Sequence, residues 1–209
     1  MNELYDKIFA SYDAKETLRK ICIYGKNCNS ILEFGTRGGV SALALFKAMK
    51  EKSGQRWKPR HIGVDLVHDE SISMLEAAAE KSGISFQFVQ CHSRQYPLHE
   101  IDGFVWDTFH CGGSLLVELE KIAPYVNKYM FLLGVRTFGD TSEAELRKLD
   151  VENVARELFI SPDDVKKGMK KGVEEFLQKH KEWRQIDSFG EVCVLERIEK
   201  PLKRLFPTE

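Results

Sequence analysis

The sequence predicts an α/β domain built on a mostly parallel, seven-stranded sheet, with helices on both faces and a C-terminal antiparallel hairpin. Short apolar runs alternate with amphipathic segments of helical period, the signature of right-handed crossovers between parallel strands. The run Ile31 to Ser41, Ile-Leu-Glu-Phe-Gly-Thr-Arg-Gly-Gly-Val-Ser, reads as a buried strand that ends in an acid and breaks into a glycine turn opening a helix. Towards the C terminus the last helical pattern gives way to two short β-type runs.

In order, Glu3 to Tyr24 places Leu4, Ile8, Phe9, Tyr12, Leu18 and Ile21 at helical spacing, predicting a helix that caps one edge of the sheet. The alternation then predicts strand 30–34, helix 40–52, strand 61–64, helix 71–82, strand 85–89, strand 103–106, helix 114–122 and strand 129–134. A charged segment follows, in which Ser142 with Glu145 forms a capping-box pattern, and Ser161 before Pro162 and two aspartates marks a second helix start. Helices are expected there over 143–158 and 162–171, either roofing the crevice where α/β sheets bind ligands or standing in solvent. Helix 172–181 precedes the runs 183–186 and 192–197, joined through Ser188, Phe189 and Gly190.

At 209 residues the chain fits a single domain, residues 1–209, with 1–29 as an N-terminal helical cap and 140–171 as a helical insertion and possible lid. A formal charge of −1 gives no global field to attract nucleic acid or an anionic membrane. A small or glycan acceptor is the better match, and a homo-oligomer is open. The five cysteines, Cys22, Cys28, Cys91, Cys111 and Cys193, lack zinc-type or Cys-x-x-Cys spacing and read as reduced thiols. The polar N terminus has no secretory pattern, so a cytoplasmic setting is expected. The longest apolar run, Tyr129 to Val135, is too short to span a bilayer.

The glycine turn carries the functional reading. Glycines let backbone approach a ligand, and the helix starting at Val40 and Ser41 offers unpaired N–H groups. Gly35, Gly38 and Gly39 miss the one-three-six spacing of the dinucleotide fingerprint, and no Gly-Lys-Ser/Thr ending makes a phosphate loop. Glu33 at the strand tip repels phosphate and suits an ammonium or sulfonium group, which favours S-adenosylmethionine. Asp65 closes the next strand where a carboxylate can accept ribose hydroxyls, somewhat farther from the turn than the roughly twenty residues usual in dinucleotide folds. Thr36, Arg37 and Ser41 of the turn, and Leu66 after Asp65, complete the expected cofactor-binding set. His92 and Ser93 follow the third strand, where polar groups can contact an adenine ring.

The fourth strand tip places Asp107 and His110 three residues apart before a helix. Transfer of a methyl group to a hydroxyl requires the acceptor to lose its proton, and a neutral imidazole is a suitable general base. Asp107 could orient that imidazole, orient the acceptor, contact the cofactor or ligate a metal.

Glu33-x-Gly35-x-x-Gly38-Gly39, Asp65 and the closing hairpin resemble the class I S-adenosylmethionine-dependent methyltransferases, implying their Rossmann-like fold and that cofactor, released as S-adenosylhomocysteine. More narrowly, Trp106 to His110, Leu119 to Tyr125, Thr137 to Gly139, Val173 to Leu177 and Glu182-Trp183 are similar to the rhamnosyl and sugar O-methyltransferase branch, which includes proteins related to cephalosporin hydroxylase. That resemblance implies an O-methyltransferase acting on a sugar or glycan hydroxyl, with rhamnose as one case. The branch carries a second metal-binding acid after its fifth strand. Here that segment reads Leu133-Gly-Val-Arg136-Thr137. A lone Asp107 with His110 suits magnesium poorly, since that ion wants several oxygen ligands. Metal-free transfer with His110 as base is therefore expected, unless Asp140 or Glu143 replaces the missing acid. Arg136 is a candidate for binding the acceptor, as is His110; a surface salt bridge is the alternative for Arg136. Two other readings stay open: a methyltransferase for another small-molecule hydroxyl or amine, and a cofactor-binding subunit without catalysis.

Overall fold

A computed structural model describes residues 12–51, 58–187 and 191–198. The expected helix start at Leu4, Ile8 and Phe9, and the hairpin connection at Ser188 to Gly190, lie outside them.

Seven strands form one sheet: β1 (Ser30–Phe34), β2 (Arg60–Asp65), β3 (Ser85–Gln90), β4 (Ile101–Trp106), β5 (Val126–Leu133), β6 (Trp183–Asp187) and β7 (Val192–Arg197). Their order is β3-β2-β1-β4-β5-β7-β6. The first five run parallel, and β7 pairs antiparallel with both β5 and β6. The predicted fold class is the observed one. Strand order reverses between β1 and β4, and their register sets Phe34 beside Trp106. Gly35 and Asp107, the next residues, are thus neighbours at a topological switch point, where open α/β sheets leave a crevice.

The core occupies both faces. On one, α4 (Gly112–Ile122) and α8 (Met169–Lys179) press Leu115, Leu119, Met169 and Phe176 onto Phe34, Phe104, Trp106 and Met130. On the other, α1 (Tyr12–Gly25), α2 (Val40–Glu51) and α3 (Glu70–Ser82) cover Ile31, Val105, Phe131 and Val194. The expected edge cap is instead a face helix: α1 packs on α2 and reaches β5 and β7, and Lys20 pairs with Asp187 of β6 at 2.8 Å. All five cysteines are free thiols. Among the described residues no helix is long and apolar enough to cross a membrane.

The insertion departs from expectation in its breaks. One helix expected over 143–158 is two, α5 (Glu143–Leu146) and α6 (Val151–Leu158), because Lys148 turns into the left-handed region at φ 54° and Asp150 caps a new start through the N–H groups of Glu152 and Asn153. The helix expected over 162–171 stops as α7 (Pro162–Lys166). The chain must extend there, since the Lys167 carbonyl accepts from Gly112 N at 2.6 Å, and α8 then begins at Met169, earlier than the expected Gly172. Ser142 caps α5, as its pattern predicted, accepting from Glu145 N. Ala144, Val154, Ala155 and Val165 form a small apolar cluster of their own, into which Phe109 of the β4–α4 loop packs.

Candidate active site

The glycine turn is fixed from both sides. Gly35 donates to the Val64 carbonyl and Asp107 donates to the Phe34 carbonyl, each at 2.9 Å. Gly35 has φ 84°, and a Cβ there would stand 2.0 Å from the Asp107 carbonyl oxygen, so no other residue fits without moving the β4 tip. Arg37 to Gly39 make one 3₁₀ turn into α2.

Glu33 does not face the crevice. Strand alternation turns its side chain, like that of Ile31, toward α2. It is fully buried, accepting from the Ser41 hydroxyl and from His61 Nε2 at 2.9 Å. The carboxylate expected to meet a cationic ligand thus ties α2 to β2, and Ser41 is its partner rather than a ligand contact. Thr36 is likewise fully buried, its hydroxyl packed over Gly63.

Asp65 does reach the crevice. Its Oδ2 accepts from Arg37 N at 3.0 Å, and its Oδ1 from Leu66 N at 2.7 Å and Val67 N at 3.2 Å. A carboxylate offers about four lone-pair positions. Oδ2 therefore keeps room for one further donor. His92 caps a short 3₁₀ turn, accepting from Arg94 N at Nδ1, and Ser93 donates its hydroxyl to Glu118. Glu118, buried on α4, also accepts from Trp106 Nε1 and from Thr108 Oγ1 at 3.1 Å. Sequence reasoning missed this residue. The signal was present, since Glu118 sits at i+3 from Leu115 and i−4 from Ile122, a carboxylate on an apolar helical stripe.

Asp107 and His110 are brought together, with a third residue behind them. His110 Nε2 lies 3.1 Å from Asp107 Oδ1, and its Nδ1 lies 3.0 Å from Glu143 Oε2. Glu143 is buried and pairs through Oε1 with Arg147 at 3.0 Å. Burial pushes the Asp107 carboxyl above its ordinary range, only partly offset by the hydrogen bond and charge of His110. For Glu143 burial also pushes upward, but the backbone N–H and ring of His110 and the charge of Arg147 outweigh it and hold the carboxyl below its usual value.

These groups surround a cavity of about 240 Å³. Of the expected site residues, Gly35, Arg37, Asp65, Leu66, His92, Ser93 and Asp107 line it, joined by Cys91, Thr108, Phe109, Ser114 and Glu118, and by Glu143 and Leu158 from the insertion. Glu33, Thr36, Gly38, Gly39, Ser41, His110 and Arg136 are not among the lining residues. Arg136 is exposed and pairs with Glu191 at 3.1 Å, because the chain after β5 turns toward the start of β7. The donor set does not fit magnesium. Asp140 stands exposed in an ion pair with Lys170, and Glu143 is occupied by His110 and Arg147. Among the described residues no group of three or more His, Cys, Asp or Glu side chains is placed to hold a metal ion.

No protein-family model matches the chain, and no curated protein sequence matches it significantly. Solved structures do match in fold. A methyltransferase from Podospora anserina with bound S-adenosylhomocysteine aligns at TM-score 0.59 and 13% identity, over 95% of this chain and 87% of that one. The magnesium protoporphyrin IX methyltransferase of Synechocystis, also with S-adenosylhomocysteine bound, aligns at TM-score 0.55 and 12% identity, over 92% of each chain. An O-methyltransferase of tomaymycin synthesis from Streptomyces achromogenes, in complex with S-adenosylmethionine, aligns at TM-score 0.54 and 14% identity, over 92% of this chain and 85% of that one. The fold is that of these Rossmann-like methyltransferases.

Proposed function

We propose that the chain is an S-adenosylmethionine-dependent O-methyltransferase. The observation that carries this reading is the charge of the cavity at the switch point: the carboxylates of Asp65, Asp107, Glu118 and Glu143 stand against the single guanidinium of Arg37. Such a lining disfavours phosphate and suits a ligand with cationic sulfur and nitrogen. That the structural neighbours were solved with S-adenosylmethionine or S-adenosylhomocysteine supports the choice.

In this reading the backbone of Gly35 to Arg37 would hold the cofactor, Asp65 would accept from its ribose, and Leu66, His92 and Ser93 would flank its adenine. Bound there, the cofactor supplies an electrophilic methyl carbon on a positively charged sulfur. The chain's own part is placement and proton removal. The Asp107–His110 pair would orient the acceptor hydroxyl and take up the proton that it loses on methylation. No metal takes part. The acceptor we propose is a sugar or glycan hydroxyl, with rhamnosides first to be tried, on the strength of the branch motifs. Phe109 and Leu158 at the cavity wall favour a second reading, an aromatic hydroxyl.

Calorimetric titration with S-adenosylhomocysteine tests the cofactor, and absence of binding at millimolar concentration overturns the assignment. Asp65→Ala should weaken that binding about 10- to 100-fold, the worth of hydrogen bonds to a charged group. Transfer of labelled methyl to a panel of rhamnosides and catechols then separates the two acceptor classes.

A further inference from the structure

We infer that Glu118 is the specificity-determining residue for the cofactor: from α4 it clamps the loops after β3 and β4 together and offers its one open acceptor position to the amino group of adenine. This rests on the methyl-transfer reading above, and it names the residue by which the cavity selects its base.

Helical spacing brings Glu118 to the cavity. It lies one turn beyond Ser114 on the same face of α4, and both line the cavity, while Leu115, Leu119 and Ile122 hold the helix on the sheet. The residue is only 3% exposed, so each acceptor position of its carboxyl group needs a donor from the chain or from a ligand. The chain supplies three. Oε2 accepts from Trp106 Nε1 and, at 3.1 Å, from Thr108 Oγ1, and Oε1 accepts from the Ser93 hydroxyl. Each oxygen has room for about two donors, so Oε2 is full and Oε1 keeps one position.

The same bonds locate that position. Ser93 belongs to the turn after β3, and Thr108 follows Asp107 in the loop after β4, so the carboxyl group sits between the two loops, beside the residues assigned to adenine. The other acceptors on the wall are engaged elsewhere. Asp65 takes three backbone N–H groups and is assigned to the ribose, Asp107 and Glu143 both face the His110 ring, and His92 Nδ1 accepts from Arg94 N. A buried acceptor without a donor favours a ligand that brings an N–H and disfavours one that brings an oxygen. The amino group at C6 of adenine is the first kind, and the carbonyl at C6 of guanine or hypoxanthine is the second.

Trp106 gives this selection a fixed direction. An indole N–H only donates, so the atom facing it must accept. In Glu118→Gln the side-chain amide is therefore held with its oxygen toward Trp106 and Thr108 and its NH₂ in the place of Oε1. The variant keeps the volume of the side chain and the clamp on both loops, since the NH₂ can donate to Ser93 Oγ, but it turns the open acceptor into a donor.

The test compares two ligands by calorimetry: S-adenosylhomocysteine, and the analogue with hydrogen in place of the adenine amino group. The wild type should bind the analogue about 10- to 100-fold more weakly, the loss of one hydrogen bond to a carboxyl group. Affinities within about threefold of each other overturn the proposal, and this comparison needs no variant that must fold. In Glu118→Gln the ratio should fall to about one, because amine then meets amine, while the melting midpoint stays within about 4 °C of the wild type. A clamp with a merely structural role would weaken both ligands in proportion and keep the wild-type ratio, which equally sinks the idea. Ser93→Ala separates Glu118 from its neighbour. The ratio should persist there, and its collapse in Ser93→Ala but not in Glu118→Gln would assign the amine to the serine oxygen. Failure of the wild type to bind either ligand overturns the methyl-transfer reading instead, a result distinct from equal binding of both.

Discussion

At the tip of β1, Glu33 is fully buried, while one strand over, at the tip of β4, Asp107 opens on the cavity. Both acids lie within one residue of the end of an apolar strand, and both lie beside the same glycine turn. Glu33 is still a strand residue, in register with Val105 on one side and Gly63 on the other, so alternation commits its side chain to the α2 face. Asp107 comes one residue after β4 ends, where the pleat no longer dictates direction. Its contacts follow from the loop and from the insertion above it. Glu33, turned by the ladder toward α2, is thus a structural tie, while Asp107, just beyond the last strand residue, is free for chemistry.

The sharpest way to break this comparison is to neutralise each acid and ask what fails. Asp107→Asn neutralises the carboxylate of the Asp107–His110 pair that, in the proposed mechanism, takes up the acceptor's proton, and turnover should fall about 10²- to 10⁴-fold. Affinity for S-adenosylhomocysteine should stay within about threefold, since the interaction lost belongs to the transition state. Equal turnover in the variant would return Asp107 to a merely structural role. Glu33→Ala should show the reverse pattern. It strands the Ser41 hydroxyl and the His61 N–H in the interior, at about 1–3 kcal/mol for each orphaned group. For a chain of this size a melting midpoint moves about 2–4 °C per kcal/mol, so a fall on the order of 10 °C is expected by calorimetry. If Glu33→Ala melts like the wild type but no longer binds the cofactor product, the distinction between the two tips is wrong.

The sequence displayed one side of this comparison better than the other. Buried parallel strands announce themselves as apolar runs, and the turn at Gly35 announces itself because only glycine tolerates its backbone and its contact with Asp107. The mostly parallel sheet and its closing antiparallel pair were therefore legible. The direction of Glu33 was not, because alternation only puts it on the same face as Ile31, and that this face is closed by α2 and His61 emerges only once they pack there. The insertion was read as longer helices for a related reason. One break falls at Lys148, whose positive φ sits on neither a glycine nor an asparagine that would mark a left-handed turn, and the other at Lys167, whose carbonyl is drawn to Gly112 N by tertiary packing. Glu143 could be proposed as an acid near the site but not as the partner of His110, since that pairing spans 33 residues and exists only once the insertion has packed on Phe109.

A milder perturbation sharpens the comparison through pH. Burial holds the Asp107 carboxyl above the ordinary aspartate range, so its proton-accepting form disappears at a higher pH than an exposed aspartate would show. Turnover should rise with pH through that raised value and then level. Glu143 runs the other way. Its carboxyl is held below the usual range, so its stabilising contribution is complete above the ordinary glutamate pKa and is lost as pH falls through the lowered value. Hydrogen exchange at the His110 and Glu143 amides should accelerate only in that more acidic window. A single transition shared by turnover and amide protection would mean that the two carboxylates titrate as one group.

Arg136 offers the smallest expected effect and a check on the far side of the site. Its guanidinium, on an exposed side chain, meets Glu191 at 3.1 Å, and Thr137 shares the same carboxylate through its hydroxyl at 2.8 Å. An exposed pair of this kind contributes about 0–1 kcal/mol, and Thr137 still tethers Glu191 when the arginine is gone. Arg136→Ala should therefore leave melting nearly unchanged and alter KM for the acceptor by less than about twofold. An acceptor held by Arg136 would respond differently, with KM rising about tenfold or more for the loss of one charged hydrogen bond. Such a rise would extend the acceptor site beyond the cavity, across the β5 tip toward β7. The insertion would then be only one of two walls that select the acceptor.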